Sequence, residues 1–161
     1  FLIRHAKAVP AIGKMRDDDR HLADDGRESA RQVGARLAEL GVRPSVVYTS
    51  PLVRAVQTAE LVSIALAPLR VVAHVPLSID HGTVAQALSV LERHAEKDVI
   101  VLVTHEPKVR SIAASLSGRN DFPSFPTAGV AAFQGNPKAM RFAYRLDPST
   151  LVVDEATPHG D

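Results

Sequence analysis

Two histidines and two arginines stand where this sequence passes from apolar runs into polar ones. Arg4 and His5 end the apolar opening at residues 1–3, Arg54 follows the apolar stretch 45–49 across Ser50, and His105 follows residues 99–103 and Thr104. An imidazole nitrogen can attack a phosphoryl group when its other nitrogen is held in a hydrogen bond, which leaves the attacking lone pair free. The oxygens in transfer spread negative charge, and the guanidinium fork matches them two at a time. A second imidazole can donate to the same oxygens or steady the leaving group. Because protein cations supply the charge stabilisation, the set implies no cofactor and no metal.

Each residue alone has an ordinary explanation. A single histidine after a strand is usually a cap or loop residue, and a single arginine in a helix's first turn is usually solvated. Four such residues at three strand ends, far apart in sequence, favour function. His74, His94 and His159 have no convergent partners and read as structural or surface groups. Lys7 adds positive potential near the set, and Gln57 and Thr58 either orient Arg54 or pack. Glu106 reads as a surface residue, because a carboxylate facing the site would repel phosphate. The Asp17-Asp18-Asp19 run lacks further ligands at calcium-loop spacing and reads as a solvated loop.

The elements that must carry these residues alternate. Strands are expected at residues 1–3, 45–49, 69–75 and 99–103, the last apolar throughout and so covered on both faces. Helices are expected from Asp24, as cap, to Gly41; from Ser50-Pro51, as cap and first position, to Leu66; over 83–97; and over 107–116, with Gly118 as the stop. Residues 130–134 and 141–146 read as antiparallel strands. The pattern predicts a three-layer α/β/α sandwich with a mainly parallel central sheet. In such open sheets ligands bind beyond the carboxyl ends of the strands, where Arg4, His5, Arg54 and His105 fall. Arg54, in a first helical turn, also sits where free N–H groups and the helix dipole favour an anion.

Composition sets the frame. The chain has 161 residues, 45% of them hydrophobic and 23% charged, with net charge +1. One domain is expected, with no wholesale attraction to nucleic acid or membrane. No apolar run approaches the ~20 residues of a membrane helix. There are no cysteines, which removes disulfides and thiolate chemistry and fits a reducing, cytoplasmic compartment. The domain is expected to start a few residues before Phe1, and residues 155–161 to form a loose tail.

The segment Leu2-Ile3-Arg4-His5-Ala6-Lys7-Ala8 resembles the signature of the histidine phosphatase superfamily, the phosphoglycerate-mutase-like fold. Residues 50–59, from Ser50 to Ala59, resemble its second motif, and residues 101–107, from Val101 to Pro107, its third. The likeness runs in family order from Phe1 to about Leu146. It implies that His5 is the phosphorylated nucleophile and that Arg4, Arg54 and His105 complete the phosphate pocket. Residues 19–26, with Arg20, Leu22, Ala23 and Gly26, are similar to the Arg-x-Leu-Thr-x-x-Gly stretch of the compact SixA-type phosphohistidine phosphatase branch, and residues 125–129 to the segment before its late strands. Arg20 would then be a further phosphate contact. Ala6 replaces the usual glycine, which requires a negative φ there. Ala23 replaces a common threonine at the cost of a local hydrogen bond.

Many members carry an acidic proton donor on a long insertion between the second and third motifs. Only about fifty residues separate Arg54 from His105, so Asp80, beside His81 on the loop at 76–82, is the one acid candidate, and a loop aspartate near glycine is ordinarily a turn residue. A weakly acidic site suits phosphoramidates, whose imidazole leaves neutral, better than alkyl phosphates. The short insertion leaves room for a phosphate borne on a protein. The expected activity is protein phosphohistidine phosphatase. The alternatives are a phosphomonoesterase acting on a small ester, and a module that binds phosphate without turnover.

Overall fold

The computed structural model describes residues 1–136 and 140–155. Seven strands form one sheet in the order β3-β2-β4-β1-β5-β6-β7. β1 (Leu2–Arg4), β2 (Val46–Thr49), β3 (Arg70–Ala73) and β4 (Ile100–Thr104) are mutually parallel. β5 (Val130–Gln134), β6 (Arg141–Leu146) and β7 (Val153–Glu155) continue the sheet antiparallel on the β1 side.

The unbroken apolar runs of β1, β2 and β4 have a simple cause. Successive side chains point to opposite faces of the sheet, and both faces are covered. Ile3, Val47, Val101 and Val103 pack with α1 (Asp24–Glu39) and α2 (Val53–Leu66) through Val33, Leu37, Ala59 and Val62. Leu2, Val46, Tyr48 and Leu102 pack on the other side with α3 (Val84–Leu88) and α4 (Lys108–Ser117) through Ala87, Val109, Ile112 and Leu116. The result is the expected α/β/α sandwich.

Several boundaries differ from the sequence expectation. Ala23, not Asp24, is the N-cap residue of α1, with no side-chain cap bond; Asp24 is already helical. α2 starts at Val53 with Leu52 as its cap residue, while Ser50 Oγ accepts the N–H of Leu52 at 3.3 Å. The helix expected over 83–97 is α3, opened by a Thr83–Gln86 capping box, followed by a 3₁₀ turn at Ser89–Arg93. Ser89 Oγ bonds the carbonyl of Gln86, a local competitor to helical pairing. His94, just beyond, meets the Tyr48 hydroxyl at 3.0 Å, so this histidine has partners after all. Glu155 closes β7 rather than opening a tail; the rest of the expected tail, and His159, lie outside the described residues.

The parallel register decides where the site falls. Arg4 pairs with Thr104 and Thr49 with Val103, so β1, β2 and β4 end side by side. The chain continues the ladder one residue further, with His5 N–H donating to Thr104 O at 2.9 Å and Ser50 N–H to Val103 O at 3.0 Å.

Candidate active site

His5 emerges from β1 half-buried, and its Nδ1 lies 2.7 Å from the carbonyl oxygen of Ala6. That acceptor requires the proton on Nδ1, which leaves Nε2 with a free lone pair. Ala6 is absent from the positive-φ residues, so alanine meets no backbone strain in place of glycine. Its N–H donates to Thr58 Oγ1 at 3.0 Å, and the Thr58 hydroxyl donates to Arg54 O at 2.7 Å. Thr58 thus ties the turn after His5 to the first turn of α2. Gly26 keeps α1 close: a Cβ there would overlap the Lys7 carbonyl oxygen, to which Ala23 N–H donates at 3.0 Å.

His105 follows β4 and is buried, its ring centroid 4.8 Å from that of His5 with a tilt of 56°. Its Nε2 lies 2.7 Å from Ser50 Oγ. Arg54 is 2% exposed; it donates from Nη1 to Asp17 O at 2.6 Å and from Nη2 to Asp17 Oδ2 at 2.8 Å. Arg20 donates from Nη1 to Asp17 Oδ1 at 2.8 Å and from Nε to Val9 O at 2.7 Å. One aspartate therefore spans two of the arginines expected to meet phosphate. Arg4 donates from Nη1 to Phe125 O at 2.6 Å. The Phe125 N–H in turn donates to Glu106 Oε1 at 2.8 Å, so Glu106 is not a free surface carboxylate; it clamps the peptide on which Arg4 rests. Among the described residues, Arg4 Nε and His105 Nδ1 are buried with no hydrogen-bond partner.

Burial lowers His5 to about 4, and the charges of Arg54, Arg4 and Arg20 push the same way against the bond to Ala6. Burial also lowers His105 to about 3, aided by His5 and Arg54 and opposed by Asp17. Both rings are neutral near pH 7. The hydrogen bond from Arg20, supported by Arg54, holds the Asp17 carboxyl below its usual range. These arginines make a cationic setting around two neutral imidazoles, one with a lone pair to offer.

Asp80 stands apart. It is exposed and lines a depression of about 310 Å³ shared with Asp18, Asp19, Leu52 and Val75, a lining that includes neither histidine. The ammonium of Lys108, buried at the start of α4, holds this loop by donating to the carbonyls of Pro76, His81 and Gly82. Lys7 pairs with Asp25 at 2.6 Å on the surface, and Gln57 accepts the Leu22 N–H at 2.8 Å. A cavity of about 910 Å³ opens at the other end of the strands around Phe1, Val99 and Ile100 and holds none of the candidate residues.

Asp17, Glu106, Lys108 and Ser50 escaped the sequence reading as parts of this site. Asp17 carried one signal, its place three residues before Arg20. The other three act through backbone atoms or a neighbouring ring, which no spacing rule reveals.

Residues 1–78 match the sequence profile described as Histidine phosphatase superfamily (branch 1). The structure of the protein histidine phosphatase SixA complexed with tungstate superimposes with a TM-score of 0.83 and 26% identity, covering 94% of this chain and 97% of that one. A Picosynechococcus protein described only as uncharacterized is 32% identical over 130 residues, 73% of this chain and 72% of its own length. The mitochondrial serine/threonine-protein phosphatase Pgam5 of Drosophila persimilis is 41% identical over 62 residues, 38% of this chain. That match spans 21% of the Pgam5 length. Profile, fold and site geometry converge: the chain belongs to the histidine phosphatase superfamily.

Proposed function

We propose that this chain is a phosphatase working through a phosphohistidine at His5, with a phosphohistidine-bearing protein as substrate. The observation that carries the proposal is the His5 ring: its Nδ1 is committed to the Ala6 carbonyl, and its ring lies 4.8 Å from that of His105. Arg4, Arg54 and Arg20 act on the same ring electrostatically.

In the first step His5 Nε2 forms a bond to phosphorus while the P–N bond of the substrate breaks. The electron pair returns to the substrate imidazole, which is protonated at its other nitrogen and departs neutral. In the second step a water oxygen attacks phosphorus and the P–Nε2 bond breaks. The electron pair returns to His5, the water proton leaves with the product, and inorganic phosphate is released. Arg4, Arg54 and Arg20 hold the oxygens, and His105 donates to them.

One feature favours a phosphoramidate over an ester. An alkoxide leaving group needs a proton donor, and Asp80 makes no hydrogen bond to His5 or His105 among the described contacts. The tungstate complex of SixA, the similar protein histidine phosphatase, supports an oxyanion site in a protein of this fold. The absence of cysteine fits a reducing, cytoplasmic compartment.

The test is a comparison of rates on a phosphohistidine peptide and on a panel of phosphate esters, without added metal. Preference for the peptide, with label trapped on His5 after an alkaline denaturing quench, is the expected result. Faster ester hydrolysis would favour the phosphomonoesterase. Binding of the peptide with no turnover of any substrate would leave a phosphate-binding module.

A further inference from the structure

Ser50 sits at the end of β2 and is fully buried. Its hydroxyl oxygen accepts the Leu52 N–H at 3.3 Å and lies 2.7 Å from His105 Nε2. A serine hydroxyl has one proton and two lone pairs. With one lone pair engaged by Leu52, the proton still needs an acceptor, since a buried O–H left without one is costly. Among the described hydrogen bonds, His105 Nε2 is the acceptor within its reach. A ring that accepts at Nε2 carries its proton on Nδ1.

The other side of the ring completes the argument. His105 Nδ1 is buried and has no protein partner among the described residues, and its ring stands beside the ring of His5. An Nδ1–H there is a donor that the protein leaves unfilled. The opposite tautomer would present a lone pair, which repels an anion. Burial keeps the ring neutral down to about pH 3 in the unliganded protein, so the donor does not depend on a positive charge.

We propose that Ser50 is a positioning residue that fixes His105 as its Nδ1–H tautomer, so that a neutral ring presents a hydrogen-bond donor to the phosphoryl oxygens. The identity of the acceptor rests on the phosphatase function proposed above; the tautomer does not.

The experiment is a long-range 1H–15N spectrum of the whole unliganded 15N-labelled chain near pH 7, with His105 assigned from its loss in His105→Asn. The wild-type cross-peaks are expected to show the proton on Nδ1 of His105. In Ser50→Ala the ring is expected to shift toward the Nε2–H form, with kcat on a phosphohistidine peptide reduced about tenfold, less than the about 10²–10³-fold cost of deleting an oxyanion donor outright, because the ring itself remains. Ser50→Thr, which keeps a hydroxyl, is expected to restore the Nδ1–H form and most of the rate. A wild-type His105 protonated at Nε2 would overturn the proposal, whether or not any variant folds. So would a Ser50→Ala protein whose His105 keeps the wild-type tautomer. A wild-type chain that turns over no phosphorylated substrate would remove the phosphatase function and leave the tautomer, read from the spectrum alone, standing.

Discussion

His5, Ser50 and His105 ride on the ends of three neighbouring parallel strands, whereas Asp17, Arg20 and Asp80 ride on two connecting loops. On the strand side, ladder hydrogen bonds run on to His5 and Ser50 themselves, and the Thr58 hydroxyl ties the turn after His5 to the helix of Arg54. On the loop side Arg20 is held through Val9 O and the Asp17 carboxylate, and Asp17 is 56% exposed at its side chain. The strand side brings the proposed nucleophile and the ring beside it to a fixed spacing. The loop side supplies charge through an exposed aspartate and the arginine it holds. Precision comes from the sheet and adaptability from the loops.

That contrast is tested most severely at its strand-borne extreme. His5→Ala removes the attacking nitrogen, and turnover of a phosphohistidine peptide is expected to fall by about 10⁴-fold or more. Arg54→Ala removes the buried guanidinium and is expected to lower kcat by about 10²–10³-fold, the cost of a lost donor to developing charge. Arg20→Ala, on the loop side, should cost far less, on the order of tenfold. Steady-state kinetics on the three variants would break the comparison if Arg20 proved as costly as Arg54.

The pH dependence sharpens it next. With His5 lowered to about 4, the free enzyme keeps its nucleophile neutral well below the ordinary histidine range. After correction for the substrate phosphoryl group's own ionisation near pH 6, kcat/KM is expected to stay level from pH 7 to about 5 and to fall as pH passes through about 4. The sign for stability follows from proton linkage. The unfolded chain binds protons at these histidines near pH 6.5, while the folded chain resists them until about 4 for His5 and about 3 for His105. Folding stability should therefore fall as pH drops through this window and level off below the folded values. Thermal melts between pH 7 and 4 check the direction.

What the sequence made legible divides along the same line. His5, Arg54 and His105 were readable because buried parallel strands announce themselves as apolar runs, and a polar residue at the end of such a run has to lie at the sheet edge. Arg20 needed family resemblance, since nothing periodic surrounds it. Asp17 was mistaken for solvated loop because its partners, Arg20 and Arg54, are three and thirty-seven residues away, and only the folded chain unites them. Glu106 was misplaced because its partner is a backbone N–H, which every residue but proline carries and which therefore leaves no trace in sequence. β7 is three residues long, two of them charged, too short for alternation to register.

Asp17→Asn probes the loop side directly. The carboxylate engages two guanidinium groups proposed to hold the incoming phosphate, and its negative charge opposes that phosphate. Removing the charge while keeping the shape is expected to tighten inhibition by tungstate or vanadate by about three- to tenfold, the scale of one partly screened charge interaction. A weaker inhibition would mean that Asp17 chiefly holds the arginines in place.

The smallest effect is expected at Asp80. Its side chain is exposed in a depression whose lining includes neither His5 nor His105, and the surrounding loop is held through Lys108 and through Thr104 Oγ1 bonded to Leu77 O. A departing imidazole needs no acid there, so Asp80→Asn should change the rate on a phosphohistidine peptide by less than about twofold. An ester substrate would respond differently if this loop swung inward to protonate an alkoxide. Running both substrates on the one variant therefore separates two kinds of loop. A silent change on both assigns the loop to packing. A loss confined to the ester gives it a chemical role that the present geometry, with Asp80 turned to its own depression, does not need for a phosphoramidate.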